Sequence, residues 1–229
     1  MQRFDADIDQ STRTVKGYAA TVAGPLRSKR RILPKHILFG VLGLMTIFVL
    51  YHSERFIFHR TSNTWIFFYP VRWKLFFHAL GGAIALVLGA LQFSTRLRHR
   101  YPKLHRVCGR IYIGGVLVAA PMAVYLTFTH GIQSLFVETT VQSSLWVFTA
   151  LMALIAARNR NFEIHRQWVM RSYAVTLIFV ASRVLYAVPF INPSGEIGAE
   201  RILWILVICA LLIPQLIIDS GRLLDRRSR

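Results

Sequence analysis

Acidic residues and cysteines are both scarce in this sequence. It has 10 Asp+Glu against 28 Lys+Arg, a formal net charge of +18, and only 2 Cys. Cys108 and Cys209 lie far apart and form no CxxC motif, so neither a disulfide framework nor a cysteine-based metal site is indicated. The sequence also lacks Walker A, GxGxxG, GxSxG and HExxH motifs, which disfavours nucleotide-driven and hydrolytic functions.

What the sequence does contain is a series of long apolar runs. Hydrophobic residues make up 54% of the chain. This composition indicates an integral membrane protein, whose first partner is the lipid bilayer. Lys and Arg stand between the apolar runs and form no patch on a soluble domain, so their excess indicates membrane orientation and not nucleic-acid binding.

Six of the apolar segments have the length of about 20 residues that a hydrocarbon core of ~30 Å requires. We therefore predict an all-α membrane bundle of six transmembrane helices, with a transmembrane domain at 32–219 between polar or basic tails at 1–31 and 220–229. The predicted spans are 32–52, 73–94, 107–129, 136–157, 168–189 and 201–219.

The basic residues predict the orientation of these spans. Most Lys and Arg fall in four segments that this topology places on one side of the membrane: 1–35, 95–110, 158–171 and 219–229. The positive-inside rule then predicts that both termini are cytoplasmic.

An internal repeat organises the middle of the chain. Residues 98–112 read RHRYPKLHRVCGRIY and residues 158–173 read RNRNFEIHRQWVMRSY. One extra residue in the later copy aligns the ends of the two blocks. The matched pairs include His105 with His165, Arg110 with Arg171, and Tyr112 with Tyr173. Because each block follows one apolar segment and opens the next, the four central helices are predicted to be a duplicated helix pair.

The same blocks carry a family resemblance. The run HALGGAIALVLGALQF, the block RLRHRYPKLHRVCGRIY, Trp146, the block HRQWVMRSYAVT and Arg183 resemble the DUF2306 family of bacterial membrane proteins, over about residues 73–187. The resemblance implies a four-helix core in a bacterial inner membrane and no assigned activity. The architecture is also loosely similar to cytochrome b561-type proteins, which hold haem between histidines, so haem b is a candidate cofactor.

The repeat predicts a ligand site on the cytoplasmic side of the core. His105 and His165 are expected to meet near a pseudo-twofold axis, where they are the candidate metal ligands. Arg110 and Arg171 are candidate partners for haem propionates, a quinone headgroup or a small anionic ligand, and Gln92 lies at the same depth. The competing interpretation is that the His-Arg pairs only anchor the helices at the interface.

One face of the second span is lined by small and polar residues. Its members are His78, Gly82, Ala85, Gly89 and Gln92. Such a face is typical of close helix packing, and the alternative is that it leaves room for a flat cofactor.

A second polar group is predicted on the outer side. Arg183 lies in apolar sequence, where a charged residue costs about 2.5–3.5 kcal/mol, so we expect it to face the interior with Glu138 as its counter-ion. His78 and His130 are candidates for the same pocket, as a ligand pair or a proton relay. The polar outer half of the fourth span is expected to lie inside the bundle.

Two functional hypotheses follow. The first is a membrane protein whose core binds a redox or anionic ligand through His78, His105 and His165 with Arg110, Arg171 and Arg183. The second is a non-enzymatic small-solute or proton transporter, or a structural subunit that contacts a membrane-protein partner. His105 and His130 are about 37 Å apart along one helix, so a single cofactor is favoured over two haems.

Overall fold

The computed structural model describes Gly40, residues 43–48, Tyr51, and residues 63–131, 133–188 and 196–227. From residue 63 onward this part of the chain forms seven α-helices. They are α1 (Asn63–Phe68), α2 (Arg72–Gln92), α3 (Thr95–Arg100), α4 (Pro102–His130), α5 (Phe136–Arg158), α6 (Phe162–Tyr186) and α7 (Glu196–Arg227), with 3-10 turns at Tyr69–Val71 and Gln133–Leu135.

Five helical segments of the described chain are long and apolar enough to cross a membrane. They are Asn63–Gln92, Pro102–His130, Gln133–Arg158, Phe162–Tyr186 and Gly198–Ser220. The all-α membrane bundle is therefore confirmed. The described residues of the first predicted span, at 40, 43–48 and 51, are helical, but its other residues lie outside the described chain, as does the tail at 1–31. The count of six spans stays a prediction.

The long helices pack as antiparallel neighbours. Helix α2 packs mainly against α4, α5 against α6 and α4, and α7 against α6, while α2 also touches α6. We call the end of the bundle where α2 and α5 end and α4 and α6 begin the histidine end, because it carries His105 and His165. The opposite end, where α5 begins, is called the glutamate end after Glu138.

Helices α4 and α6 begin several residues before their predicted apolar spans. Pro102 is at the first position of α4, where its fixed φ suits a helix start and its missing N–H is not needed. Asn161 precedes α6, and its Oδ1 accepts a hydrogen bond from the Ile164 N–H at 3.2 Å. Both His-Arg pairs therefore lie within helices, because local capping signals and not the apolar run set the helix starts.

The two links of the predicted repeat differ in structure. The first contains helix α3, whereas the second is a tight turn. In that turn the N–H of Arg160 donates to Ala157 O at 3.1 Å and the N–H of Asn161 donates to Ala156 O at 3.0 Å. This is the Schellman pattern, with Arg160 at φ 56° in the position that usually holds glycine. The two links therefore differ in backbone structure although the matched residues have similar spacing. The duplicated helix pair stays a prediction.

Helices α2 and α4 approach most closely at a pair of glycines. A Cβ added at Gly81 would lie 2.6 Å from Gly115 O, and one added at Gly115 would lie 2.8 Å from Gly81 O. Gly82, which the sequence pattern placed on this face, has no atom within 4 Å of a Cβ position. The packing glycine is therefore Gly81. Around Gly81, the small residues of α2 therefore allow close packing against α4.

The small residue nearer the histidine end, Gly89, accommodates aromatic rings. A Cβ there would lie 2.5 Å from Tyr173 and 3.0 Å from Tyr112. Both tyrosines are buried. The space that the sequence allowed for a flat cofactor over Gly89 is thus filled by two side chains of the protein.

Alanine at Gly81 or Gly115 is expected to destabilise the bundle, because the added Cβ would meet a backbone oxygen of the facing helix. Overpacking of this kind costs about 1–3 kcal/mol. Thermal unfolding of the full chain in mild detergent should show a lower Tm for Gly81→Ala and for Gly115→Ala than for the wild type.

The adjacent glycines provide matched controls. A Cβ at Gly82 or Gly114 has no neighbour within 4 Å. Alanine there is expected to be neutral or to stabilise by up to about 1 kcal/mol, because glycine is a poor residue for a helix interior. If all four variants lowered the Tm equally, the close approach of the two helices would not be the cause of the destabilisation.

Arg160→Gly is expected to stabilise the turn between α5 and α6. A positive φ costs an L-residue about 1 kcal/mol, and glycine avoids this cost. Arg160→Ala is the matched control, because it removes the same charge while keeping a Cβ. A Tm for Arg160→Gly no higher than that for Arg160→Ala would contradict the prediction.

Candidate functional site

The histidine end brings His105 and His165 together. The Nδ1 of His165 lies 2.8 Å from the carbonyl oxygen of Ala153 on α5. Since a carbonyl only accepts, Nδ1 carries the hydrogen, and in the neutral form of the imidazole Nε2 is the acceptor. His105, in the first turns of α4, is close enough to His165 for an electrostatic interaction between the two imidazoles. The two matched residues therefore lie at the same end of the bundle, and their joint binding of one ligand stays a prediction.

Gln92 completes this group from α2. A Cβ added at Gly109 would lie 3.4 Å from Gln92 Oε1. Gly109 follows His105 by one helical turn, so His105 and Gln92 lie along the same side of α4. His105 Nδ1 and Gln92 Nε2 are both buried, and within the described chain neither has a hydrogen-bond partner. An unpaired buried polar group costs about 1–3 kcal/mol, so two in one place indicate a site that lacks its ligand.

Positive charge surrounds this group. Arg98 on α3 interacts electrostatically with His105. Arg106 is exposed, and its Nε donates to Pro102 O at 3.3 Å. Arg110 is also exposed and is five residues beyond His105, on a different side of α4. The arginines therefore contribute a positive potential that favours anionic or electron-rich ligands, while Arg110 itself does not line the group.

Arg171 belongs to a different contact. Its guanidinium donates to Gln215 Oε1 on α7 and lies 4.8 Å from the ring centroid of Trp168. Gln215 in turn donates to Asp219 Oδ2 at 2.8 Å. Arg171 therefore braces α6 against α7, and the structure does not bring it to the histidines. Its sequence match to Arg110 does not carry over to a shared role.

A buried hydroxyl cluster lies deeper in the core, between α4, α5 and α6. Tyr112 Oη is 2.7 Å from Ser172 Oγ and 3.0 Å from Thr176 Oγ1. Trp146 Nε1 donates to Thr176 Oγ1 at 2.9 Å, and Thr176 Oγ1 donates to Ser172 O at 3.0 Å. Because the Thr176 hydrogen is thus used, Tyr112 donates to Thr176 and accepts from Ser172. Every hydroxyl in the cluster is satisfied.

The sequence patterns did not identify this cluster as a unit, although one signal for it was present. Tyr112 and Tyr173 are matched residues of the two blocks, and both rings pack against Gly89. Tyr173 donates from its hydroxyl to Leu86 O on α2 at 3.3 Å. The tyrosine match therefore marks the centre of the four-helix core. Nothing in the sequence indicated Ser172 or Thr176 as the partners.

His78 and His130 do not share a pocket. His78 Nδ1 lies 2.9 Å from Ala119 O on α4. His130 lies at the end of α4 with its ring centroid 5.9 Å from that of Phe67. Eleven residues of α4 separate the two contact points, which is about 16 Å at 1.5 Å per residue. The expected pair of outer histidines is thus wrong for this fold.

Glu138 and Arg183 both lie at the glutamate end, but only Glu138 is buried. Glu138 is buried, as the polar face of the fourth span predicted, and its Oε1 accepts from Trp204 Nε1 at 2.7 Å. Arg183 is exposed, with its guanidinium 5.6 Å from the Phe179 ring centroid. Both charges interact with Tyr186. The expected interior position of Arg183 is wrong, because its side chain is exposed, while its pairing with Glu138 stays a prediction.

The metal-binding capacity of the described chain is limited to pairs. No group of three or more His, Cys, Asp or Glu residues in this part of the chain is arranged to hold a metal ion. His105 and His165 together provide two imidazoles, a number that suits axial ligation of a haem or hydrogen bonding to an organic ligand.

Comparison with known proteins gives one match. The model of a family described as "Predicted membrane protein (DUF2306)" matches residues 75–220. The match extends beyond the 73–187 of the sequence resemblance and includes α7, so the last span is part of the family core. No curated protein and no solved structure matches the chain.

Tyr112→Phe is expected to destabilise the core by about 1 kcal/mol, because Ser172 and Thr176 would each lose a buried hydrogen-bond partner. Tyr101→Phe is the control, since Tyr101 is 51% exposed. Thermal unfolding of both variants in detergent measures the difference. A Tyr112→Phe protein as stable as Tyr101→Phe would contradict a stabilising role for the cluster.

Proposed function

Because the chain belongs to the DUF2306 family of predicted membrane proteins, we propose a function that acts from within the bilayer. The histidine end binds a quinone-like redox ligand between α2, α4 and α6, through Gln92, His105 and His165. The observation that carries this proposal is the pair of buried, unpaired polar atoms on Gln92 and His105. A second copy of the same residue type, His165, stands beside them.

The chemistry of a quinone suits these three side chains. Its carbonyl oxygens accept hydrogen bonds, and the Gln92 amide and His105 Nδ1 are buried groups that can donate and that have no partner among the described residues. The hydrogen bond from His165 to Ala153 O leaves Nε2 as a proton acceptor. The site thus contains hydrogen-bond donors for the carbonyl oxygens of the quinone and a base for the hydroxyl of the hydroquinone. Proton-coupled electron transfer requires both.

The surroundings favour a ligand that arrives through the membrane. Leu91 on α2 and Leu104 and Val107 on α4 flank the site, and all three are more than two-fifths exposed. Apolar side chains at this position face lipid in a membrane-spanning bundle. A ligand with an apolar tail can therefore lie along the helix surface while its headgroup reaches Gln92 and His105.

The distribution of basic residues favours one orientation of the site in the membrane. The histidine end carries the basic segments 95–110 and 158–171. By the positive-inside rule this end faces the cytoplasm of a bacterial inner membrane, with both termini on the same side. The same positive potential favours the negative charge that a quinone acquires when it is reduced.

Haem b is a second candidate ligand for the same pair. The hydrogen bond from His165 Nδ1 to a backbone carbonyl is the arrangement that orients metal-ligating histidines. His105 and His165 would hold the haem, which would supply one-electron chemistry. The tyrosines over Gly89 restrict where its ring can lie, so the quinone-like ligand is the preferred assignment.

Quinone binding tests the proposal directly. A short-chain quinone is titrated into the purified full chain in lipid nanodiscs, and bound quinone is measured after extraction. Gln92→Leu and His105→Ala should each weaken binding about tenfold, since each removes one hydrogen bond of about 1–1.5 kcal/mol. The double variant His105→Ala/His165→Ala should lose less than the sum of its single losses, because both act on one ligand.

Two variants control for general damage. His99→Ala removes an exposed histidine of α3 and should bind like the wild type. Gly109→Leu should block binding by filling the space beside Gln92, whereas Gly114→Leu, at an open position, should not. Reduced-minus-oxidised absorbance spectra of the same samples detect a haem by its Soret band. A wild type that binds neither quinone nor haem contradicts the redox function and favours transport or a structural role.

A further inference from the structure

One side of α4 is exposed along most of its length in the described chain. We call its residues, spaced by three or four positions, the α4 stripe: Lys103, Arg106, Arg110, Gly114, Leu117 and Pro121, all of them exposed. At about 100° per residue, the stripe lies on the side of α4 opposite Cys108, Tyr112 and Val116, which are buried in the core.

The stripe has a basic part and an apolar part. The three residues nearest the histidine end are basic, and the three that follow are apolar. From Arg110 to Pro121 the helix rises by about 16 Å at 1.5 Å per residue, which is about half of a hydrocarbon core of ~30 Å and hence one leaflet. A Cβ added at Gly114 would have no atom within 4 Å, so the apolar part contains an open recess next to Arg110.

No acidic residue of the neighbouring helices neutralises the basic part. The sequence has no Asp or Glu between Glu54 and Glu138. Helices α2, α3 and α5 pack against α4, and their one acidic residue, Glu138, lies at the opposite end of the bundle. The acidic residues at the histidine end belong to α6 and α7. Arg106 donates from Nε to Pro102 O, which uses one of its five N–H donors.

Charge complementarity identifies the partner that fits both parts. In a bilayer, acyl chains cover an exposed apolar helix side, and lipid phosphates lie where the apolar sequence ends. Lys and Arg bind phosphate through charge-assisted hydrogen bonds, and basic residues at the end of a membrane span attract anionic lipids. A second copy of this chain in the same orientation would bring its own basic part to the same depth, where like charges repel.

We propose that the α4 stripe is a binding site for one anionic phospholipid. The basic part holds the phosphate of the headgroup, and one acyl chain lies along the apolar part in the leaflet at the histidine end. The stripe is on a different side of α4 from His105 and Gly109. The lipid site is therefore separate from the quinone-like ligand and does not rest on it.

Native mass spectrometry of the full chain in an uncharged detergent tests the proposal. The wild type should retain one phosphatidylglycerol per chain and should bind it more tightly than the zwitterionic phosphatidylethanolamine. The triple variant Lys103→Gln/Arg106→Gln/Arg110→Gln should bind phosphatidylglycerol roughly a hundredfold more weakly, because each basic residue near a membrane surface contributes about fivefold.

The matched control is Arg158→Gln/Arg160→Gln/Arg166→Gln. It removes three exposed basic residues from the same end of the bundle and should bind phosphatidylglycerol like the wild type. Equal losses in the two triple variants would mean a general attraction to the basic end and would overturn the site. Displacement of the lipid by excess inorganic phosphate would overturn it too, since phosphate has no acyl chain.

Two further results decide the remaining cases. A wild-type dimer that the Lys103→Gln/Arg106→Gln/Arg110→Gln variant converts to a monomer would show that a second copy covers the stripe, and would overturn the proposal. If this triple variant fails to fold, the three single variants replace it. Each should weaken phosphatidylglycerol binding about fivefold, and unchanged binding in all three would overturn the site.

Discussion

The backbone contact between Gly81 and Gly115 is the constraint on which the rest of the core depends. It brings α2 and α4 so close that no Cβ fits at either position. The same approach lets His78 donate to Ala119 O on one side of the crossing. On the other side it places Gln92 against Gly109 at the candidate ligand site. A wider helix separation would remove both contacts, since neither side chain is long enough to span it.

Buried polar groups in this bundle fall into two kinds. The hydroxyls around Tyr112 are all satisfied by one another and by the backbone, which makes them part of the scaffold. Gln92, His105, His130 and Glu138 each retain a buried atom without a partner in the described chain. In an apolar environment such an atom is costly. The proposed ligand site at the histidine end would supply the missing partners of Gln92 and His105.

Helix α7 is attached to the core by polar contacts toward both ends, among them a hydrogen bond from the Tyr186 hydroxyl to Ala199 O at 3.2 Å. Trp204 donates to Glu138 near its start, and Gln215 accepts from Arg171 near its end. Between these contacts, Leu203 and Val207 pack with buried residues of α6. The family match likewise continues through residue 220 and so includes this span. The last span is structurally integral, although its sequence alone did not link it to the repeat blocks.

The amino-acid sequence by itself determined the membrane class, the long helices and the position of His105 and His165 at one end of the bundle, because run length and matched spacing act locally. Only the tertiary structure decided that Gly81 and not Gly82 packs against α4. Adjacent residues differ by about 100° around a helix, and an uncertain helix orientation leaves both possible. It likewise decided that Arg171 contacts Gln215 of α7 and that Arg183 is exposed. A long, flexible side chain takes its partner from whatever the neighbouring helices provide, and helix positions are a property of the whole bundle.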